Sequence, residues 1–362
     1  MKQLYQHILN AVLYTSCKRK RCFPEPVRKF SGISRLIFPL LLFCSGPVLA
    51  DGDQYQLGRG LTISDALVVG GYFSTEYVNG NNQESFSVDD LALLAYGSLT
   101  DNVSYLTELE WSEIYKADFR TDTDEWNTRP IIERLYGDYK RSDNVSIRFG
   151  KQITPIGYWN LQPINVLRET TSNPVLSRIM FPQFLTGVDI YGYTPFDDQM
   201  TYHVYLQATR DLDTENINID VDSHFGVSLG KYISHSWQLG GSTGRFTEVD
   251  GSETYYLQLN SRLDTTRYSL IAEAVADFKE LYRGGAEKSQ AFYLQGEYRI
   301  NARHALIGRI EYFHDGRQGT RERIGIVGYS YRPVYPVSFK IEYQWHADTN
   351  DDGVLTSFSV LF

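Results

Sequence analysis

Residues 337–346 read VSFKIEYQWH, a run in which apolar and polar side chains strictly alternate. The apolar positions are Val337, Phe339, Ile341, Tyr343 and Trp345, and the polar positions are Ser338, Lys340, Glu342, Gln344 and His346. Successive side chains of a β-strand point to opposite faces, so this spacing predicts a strand with one apolar and one polar face.

The same alternation recurs along the chain after residue 60, for example in YYLQLNSRL (255–263) and FYLQGEYRI (292–300). It predicts about sixteen strands of roughly ten residues each. The predicted strands lie near 61–78, 86–99, 102–113, 131–141, 145–153, 184–194, 199–210, 223–232, 236–246, 254–264, 266–277, 289–300, 304–314, 321–332, 335–346 and 353–362. The sequence therefore predicts an all-β protein.

The connections between the predicted strands differ in length. Each even-numbered strand is followed by a few residues, such as SDN (142–144) and NAR (301–303), and each odd-numbered strand is expected to be followed by a longer link. Short turns at one rim, long loops at the other and an even number of strands are typical of a transmembrane antiparallel β-barrel. A soluble sandwich would hide its apolar face between two sheets and has no reason to sort its loops by length.

The barrel interpretation also has a physical basis in the lipid environment. Every backbone N–H and C=O group must be paired in hydrocarbon, so strands survive there only in a closed cylinder. A tilted strand of about ten residues is long enough to span that layer. Sixteen strands also form a cylinder too wide to be filled by side chains, which predicts an aqueous lumen.

The N-terminal residues resemble a secretory signal. A basic stretch at 28–35 precedes the apolar run LIFPLLLF and small residues that end at Ala50. This order predicts a cleavable signal, preceded by an N-terminal extension, within residues 1–50, with cleavage after Ala50 and a barrel over residues 51–362. The protein is thus expected to be exported to the bacterial outer membrane.

Charge and cysteine content exclude several functions. The leader contains eight of the 35 basic residues and one of the 44 acidic residues, so the mature chain is strongly acidic. An acidic chain is a poor partner for nucleic acid, which needs a basic face. All three cysteines, Cys17, Cys22 and Cys44, precede the predicted cleavage site, so no disulfide framework or thiolate metal site is expected in the barrel.

Charged residues recur on the polar faces of the predicted strands. Such charges would be costly in a dry core, whereas in a wet pore they stay solvated and set up a field across the channel. The predicted pore-lining residues are Glu108, Glu110, Arg134, Asp138, Arg148, Asp189, Arg262, Glu273, Glu297, Arg299, Arg309, Glu311, Lys340 and Glu342. This composition predicts the passage of small hydrophilic solutes and ions.

The longest connection, residues 154–183, follows the fifth predicted strand and mixes many apolar residues with a few charges. Loops of this length inside compact proteins are usually functional. We expect the segment to fold inward, to pack its apolar residues on the barrel wall and to form a constriction with Lys151, Arg168, Glu169 and Arg178. The alternative is a lid, or a packing surface between protomers.

These features together resemble the sixteen-stranded porins of Gram-negative outer membranes, in which a long third loop constricts the pore. The stretch RFGKQITPIGYWN (148–160) is similar to a Gly-Lys and Thr-Pro-Phe-Gly motif of the phosphate-selective porin group. The matching residues are Gly150, Lys151, Thr154, Pro155 and Gly157, with Ile156 in the place of Phe. The resemblance implies a porin, generally a homotrimer, embedded in outer-membrane lipid and lipopolysaccharide.

The C-terminal stretch DGVLTSFSVLF also resembles that group of proteins. Phe358 and Phe362 are expected on the lipid side of a last strand that pairs with the first. In Gram-negative outer-membrane proteins a terminal aromatic residue is part of the signal read by the barrel-assembly machinery. The resemblance therefore implies that Phe362 acts as an assembly signal.

The sequence alone does not decide between cation and anion selectivity. Anion-selective relatives line their pore with Arg and Lys, whereas the polar faces here carry both signs and the chain is acidic overall. Simple electrostatics favours a weak cation preference. A substrate-selective porin of the anion or phosphate type is the alternative.

Other chemistry has weaker support in the sequence. DTNDDG places Asp348, Asn350 and Asp352 at the spacing of half an EF-hand loop, but strands flank it and a tight hairpin loop is the better interpretation. No cofactor is predicted. An outer-membrane hydrolase would need a nucleophile beside a base, and the scattered histidines form no such signature. An adhesin or receptor with a plugged lumen is a further alternative.

Overall fold

The computed structural model describes residues 54–211, 218–316 and 319–362. The predicted signal and its cleavage after Ala50 lie outside these residues. The strands are β1 Tyr55–Gln56, β2 Gly60–Ser64, β3 Leu67–Gly80, β4 Glu84–Ser98, β5 Val103–Asp118, β6 Thr123–Trp126, β7 Ile131–Lys140, β8 Ser146–Ile153, β9 Phe184–Thr194, β10 Asp197–Gln207, β11 Val221–Ser234, β12 Trp237–Glu248, β13 Glu253–Asp264, β14 Tyr268–Glu280, β15 Ala286–Asn301, β16 His304–Asp315, β17 Thr320–Tyr331, β18 Val337–His346 and β19 Gly353–Leu361.

Sixteen of these strands, β3 to β5 and β7 to β19, form one closed antiparallel barrel. Each pairs with its neighbour in chain order, and β5 pairs directly with β7 because β6 only extends the far end of β5. The cylinder closes where β19 pairs with β3, from Gly353 opposite Gly80 to Leu361 opposite Tyr72. The predicted all-β barrel of about sixteen strands is thereby confirmed.

The apolar and polar faces lie as the alternation predicts. On β18, Phe339 and Trp345 are 45% and 55% exposed, whereas Lys340 and Glu342 are buried. The same pattern holds on β13, where Leu257 is exposed. The apolar face therefore points out of the cylinder and the polar face points into it, as expected for a barrel surrounded by lipid.

The prediction that every odd-numbered barrel strand is followed by a longer link was wrong. Links 119–130, 154–183 and 208–220 are long, but 81–83 and 249–252 are as short as the turns of the opposite rim. In these hairpins the ladder continues to a tight turn, as the bond from the Glu248 N–H to the Ser252 carbonyl shows. Pairing there extends beyond the last residues that alternate in polarity.

The first predicted strand, near 61–78, is also divided. Residues Gly60–Ser64 form β2, which turns at 65–66 and pairs back on the start of β3. Within the described residues, helix occurs only in the link 154–183, with a 3₁₀ turn at Asn165–Leu167 and a short helix, α1, at Val175–Ile179. No helix among the described residues is long and apolar enough to cross a bilayer.

Candidate functional site

The structure places every predicted pore-lining residue on the polar inner face of its strand. They are Glu108 and Glu110 on β5, Arg134 and Asp138 on β7, Arg148 on β8, Asp189 on β9, Arg262 on β13, Glu273 on β14, Glu297 and Arg299 on β15, Arg309 and Glu311 on β16, and Lys340 and Glu342 on β18. They fall into two groups. Those on β14, β16 and β18 contact the link 154–183, and most of the others pair with neighbours on the wall.

Glu273 binds the beginning of the link 154–183. One of its carboxylate oxygens, Oε1, accepts the main-chain N–H groups of Tyr158 at 3.0 Å and Trp159 at 2.8 Å. The preceding Gly157 has φ +69°, and a Cβ there would lie 2.1 Å from Glu273 Oε2. The turn onto this carboxylate therefore needs a residue without a side chain.

Two further glutamates bind the second half of the link in the same way. Glu342 accepts the N–H groups of Thr171 at 2.9 Å and Ser172 at 3.0 Å. Glu311 accepts the N–H of Val175 at 2.8 Å, where α1 begins. A carboxylate at this position satisfies an N–H group that a helix leaves unpaired at its N-terminus.

Basic side chains of the wall bind carbonyl groups of the same link. Lys340 Nζ donates to the carbonyl oxygens of Asn165 at 2.6 Å and Thr170 at 3.2 Å. Arg309 Nη1 donates to the carbonyl of Ser172 at 3.1 Å. Lys340 and Arg309 are buried, so the link, and not water, takes up much of their hydrogen-bonding capacity.

Apolar packing adds to these polar contacts. A buried side chain of aliphatic or aromatic type contributes roughly 1.5–3 kcal/mol. One cluster joins Ile156, Trp159, Leu176, Met180 and Phe181 of the link to Leu185, Tyr205, Val221, Phe246, Tyr256, Val275, Ala291 and Tyr293. A second cluster joins Ile164 and Val166 to Tyr72, Ala92 and Leu94. The link, which begins after β8 and ends before β9, thus packs on strands β9–β15 and on β3 and β4.

Arg168 and Glu169, two of the predicted constriction residues, lie at the part of the link nearest to β17. Arg332, which follows β17, donates to Glu169 at 2.9 Å and to the carbonyl of Arg168 at 2.7 Å. Burial favours the neutral carboxyl group, but the Arg332 guanidinium holds the pKa of Glu169 below its ordinary value. Burial lowers the pKa of Arg168 to about 10, so its guanidinium stays charged at neutral pH.

The other two predicted constriction residues lie elsewhere. Lys151 is 1% exposed on β8, with its ammonium group 5.3 Å from the centroid of the Phe184 ring. Arg178 lies on α1 with an exposed side chain. Arg168 and Glu169 therefore share the partner Arg332, whereas Lys151 lies on a wall strand and presents little surface to the lumen.

Sequence reasoning missed a group of carboxylates on β3 and β4. The register between β4 and β5 shifts between Val88 and Asp90, and this β-bulge brings Asp89 and Asp90 to the same hydroxyl, Ser74 Oγ, at 3.4 and 2.8 Å. We call Glu76, Asp89 and Asp90, together with the predicted pore-lining residues Glu110 on β5 and Glu342 on β18, the carboxylate arc. Two adjacent aspartates in an alternating strand were the available signal for the bulge.

The weak metal candidate at 348–352 has other contacts. Both carboxylate oxygens of Asp348 accept hydrogen bonds from Arg323, and Asp352 Oδ1 accepts the N–H of His346 at 2.7 Å. In the described part of the chain no three His, Cys, Asp or Glu side chains are grouped as a metal site.

Phe362 lies at the seam of the barrel. Its main-chain N–H and C=O groups both pair with Gly71 at 2.8 Å, and its ring packs over the space that a Gly71 side chain would fill. Its role as an assembly signal stays a prediction.

The fold resembles that of solved bacterial outer-membrane channels, although no family model and no curated protein sequence matches the chain. Over 82% of this chain and 97% of the other, the Salmonella typhi OmpF complex with daunomycin superposes with a TM-score of 0.61 at 10% identity. An anion-selective porin from Comamonas acidovorans gives a TM-score of 0.59 at 11% identity, covering 82% of this chain and 99% of that one. The outer-membrane channel DcaP of Acinetobacter baumannii gives 0.56 at 10% identity, covering 84% and 100%. The chain therefore has the sixteen-stranded barrel fold of the outer-membrane porins.

Proposed function

We propose that the protein is an outer-membrane porin that lets small hydrophilic solutes and ions diffuse through a water-filled passage narrowed by the link 154–183. The observation that carries this proposal is the sorting of side chains in a closed barrel, with apolar residues outside and charged residues inside. A polar interior in a cylinder of this width supports passage better than it supports a packed core.

The contacts of the link suggest where the passage runs. The link lies against β14, β16, β18 and the seam, through Glu273, Glu311 and Glu342. On the opposite part of the wall, Arg148 and His203 keep 16% and 29% of their side-chain surface exposed on the inner face. The passage we propose therefore runs past Arg148 and His203, which lie outside the apolar cluster that joins the link to β9–β15.

Charge favours cations over anions in this passage. The carboxylate arc places five acidic side chains on one part of the inner wall, with Arg168 beside them. The basic residues that an anion-selective pore would expose, Lys340 and Arg309, are buried against carbonyl groups of the link. This arrangement supports cation preference and counts against the phosphate-selective alternative.

Single-channel conductance and zero-current potential in a potassium chloride gradient test the proposal. We expect open steps and a potential of cation-selective sign. Replacing Asp89 and Asp90 with Asn should move that potential toward zero, whereas Asp124→Asn, on the exposed strand β6, should leave it unchanged. Absence of open steps would refute the channel, and a potential of anion-selective sign would refute the cation preference.

We also propose that the protein is exported with cleavage after Ala50, inserted by the barrel-assembly machinery among outer-membrane lipid and lipopolysaccharide, and assembled as a homotrimer. N-terminal sequencing of the protein from outer membranes tests the cleavage. A trimer should migrate as a large species in gel electrophoresis without boiling and as a monomer after boiling. Migration as a monomer in both conditions would contradict the trimer.

A further inference from the structure

A groove on the outer, lipid-facing side of the barrel runs along β12. Its floor is formed at Gly241, which has no side chain, and at Thr243, which has a small one. Leu229 on β11 and Leu259 on β13 are the cross-strand partners of Gly241, and they are 43% and 59% exposed on the same face. Together with their neighbours, these residues border a groove of about 580 Å³.

The depth of the groove depends on the small residues of β12. A Cβ at Gly241 would lie 3.2 Å from Leu259 Cδ2, so a larger side chain there would fill the space between the walls. Val227 and Leu257, the cross-strand partners of Thr243, continue the two walls toward the end of β12. Because both walls are aliphatic, a hydrocarbon chain lying in the groove would gain dispersion contacts on two sides.

Beyond the groove, toward the rim that carries the link 154–183, the outer face has a row of basic and aromatic side chains. The row consists of four successive cross-strand partners on β12 to β15: Arg245, Tyr255, Phe278 and Lys288. Neighbouring strands are about 4.8 Å apart, so the two basic residues are about 14 Å apart across the sheet. Arg245 lies about 13 Å farther along β12 than Gly241 and on the same face.

Neither basic residue of this row has a carboxylate partner in the described part of the chain. Arg245 and Lys288 are both exposed, and the Lys288 ammonium group lies 5.7 Å from the centroid of the Phe278 ring. The carboxylate of Glu253, the next outward residue of β13, accepts the Tyr255 hydroxyl at 2.9 Å. Aromatic residues on the outer face of a barrel mark the lipid–water interface, so the two cations lie at the level of lipid head groups.

We infer that Arg245, Lys288 and the groove bind one molecule of a phosphate-bearing lipid of the outer leaflet. The guanidinium and ammonium groups pair with phosphate oxygens of the head group, and an acyl chain lies over Gly241. The exposed cations are complementary to an anionic head group, whereas a second copy docked through the same surface would bring like charges together. The inference rests on the proposed function, since the lipid is met only in the outer membrane.

The test is equilibrium binding of fluorescent lipid A, a phosphorylated glycolipid, to the folded protein in a non-ionic detergent. We expect saturable binding that Arg245→Gln combined with Lys288→Gln weakens at least about tenfold, equivalent to about 1.4 kcal/mol. Both side chains are exposed, so this variant should fold normally. Gly241→Leu, which fills the groove and keeps both charges, should weaken binding by a similar factor.

The matched control is Arg323→Gln on β17, an exposed arginine near the same rim that is already paired with Asp348. It should leave lipid binding unchanged. Dephosphorylated lipid A and inorganic phosphate are titrated as competitors, and we expect both to compete at least about tenfold more weakly than unlabelled lipid A.

Absence of saturable lipid A binding to the unmodified protein, or equal binding by the double variant and Arg323→Gln, overturns the inference. Equal competition by the dephosphorylated lipid overturns the role of the two cations, and equal competition by inorganic phosphate overturns the role of the groove. If Gly241→Leu alters the oligomeric state but not lipid binding, the groove belongs to a second copy and the inference fails. A protein that conducts ions without binding lipid A leaves the channel proposal intact, and one that binds lipid A without conducting contradicts the channel alone.

Discussion

Replacing Glu273 with Ala should release the beginning of the link 154–183 from the barrel wall. The carboxylate accepts two main-chain N–H groups, from Tyr158 at 3.0 Å and Trp159 at 2.8 Å. A hydrogen bond to a charged partner contributes about 1.5–3 kcal/mol, so loss of both should lower the free energy of local opening by about 3–6 kcal/mol. Since each 1.4 kcal/mol is a tenfold change, the two amides should exchange hydrogen about 10²–10⁴ times faster.

Amide hydrogen exchange of the folded protein measures this opening residue by residue. The matched variant is Glu273→Gln, which can keep a carbonyl oxygen at the position of Oε1, where both N–H groups bind. We expect it to raise exchange of Tyr158 and Trp159 by less than about tenfold. The amide of Thr171 is held by Glu342 and serves as an internal reference in both variants.

Two results would refute this reasoning. Unchanged exchange at Tyr158 and Trp159 in the alanine variant would mean that the apolar cluster alone holds the link in place. Equal acceleration in the alanine and glutamine variants would mean that the carboxylate acts through its charge or volume and not as an acceptor for these two groups.

Four further predictions concern other contacts of the barrel and the link. Arg309→Ala should destabilise the barrel by about 3–5 kcal/mol, because it leaves a buried carboxylate without its partner, and should lower the melting temperature. Phe362→Ala should reduce insertion into outer membranes in cells while the purified barrel keeps its melting temperature, since the main chain of the residue makes the seam bonds. The pKa of Glu169 is lowered by Arg332, so this contact should be complete at neutral pH and lost as pH falls through the lowered pKa, which amide exchange at acid pH would detect. A chelator should leave melting unchanged, because side chains of loop 347–352 already bind protein partners.

The strands and their faces were predictable because the signal is local. On β18 the alternation from Val337 to His346 is enough to tell the lipid side from the inner side, and no distant residue changes it. The lengths of the connections between strands were less predictable, because residues 81–83 and 249–252 close hairpins whose outer ends do not alternate in polarity. There, backbone pairing and not side-chain burial sets the strand length.

The faces on which the candidate residues lie were predictable, but their contacts were not. Alternation placed Glu273, Arg309 and Glu342 on the inner face, yet it gave no indication that they bind main-chain groups of a link more than a hundred residues away. The shift of register that brings Asp89 and Asp90 together likewise depends on pairing between strands. Contacts of this kind are non-local, and a single sequence shows the residues without their partners.

The seam between β3 and β19 has a consequence for how the protein folds. It joins Tyr72 to Leu361 and Gly80 to Gly353, contacts between residues that are farther apart in sequence than those of any hairpin in the barrel. Closing so long a loop costs conformational entropy before the hydrogen bonds of the seam can offset that cost. The hairpins should therefore form first and the seam last. Until then β3 and β19 are open edges able to pair with another chain. Changes at the seam should therefore alter the folding rate and the yield of correctly closed protein more than the properties of the finished channel.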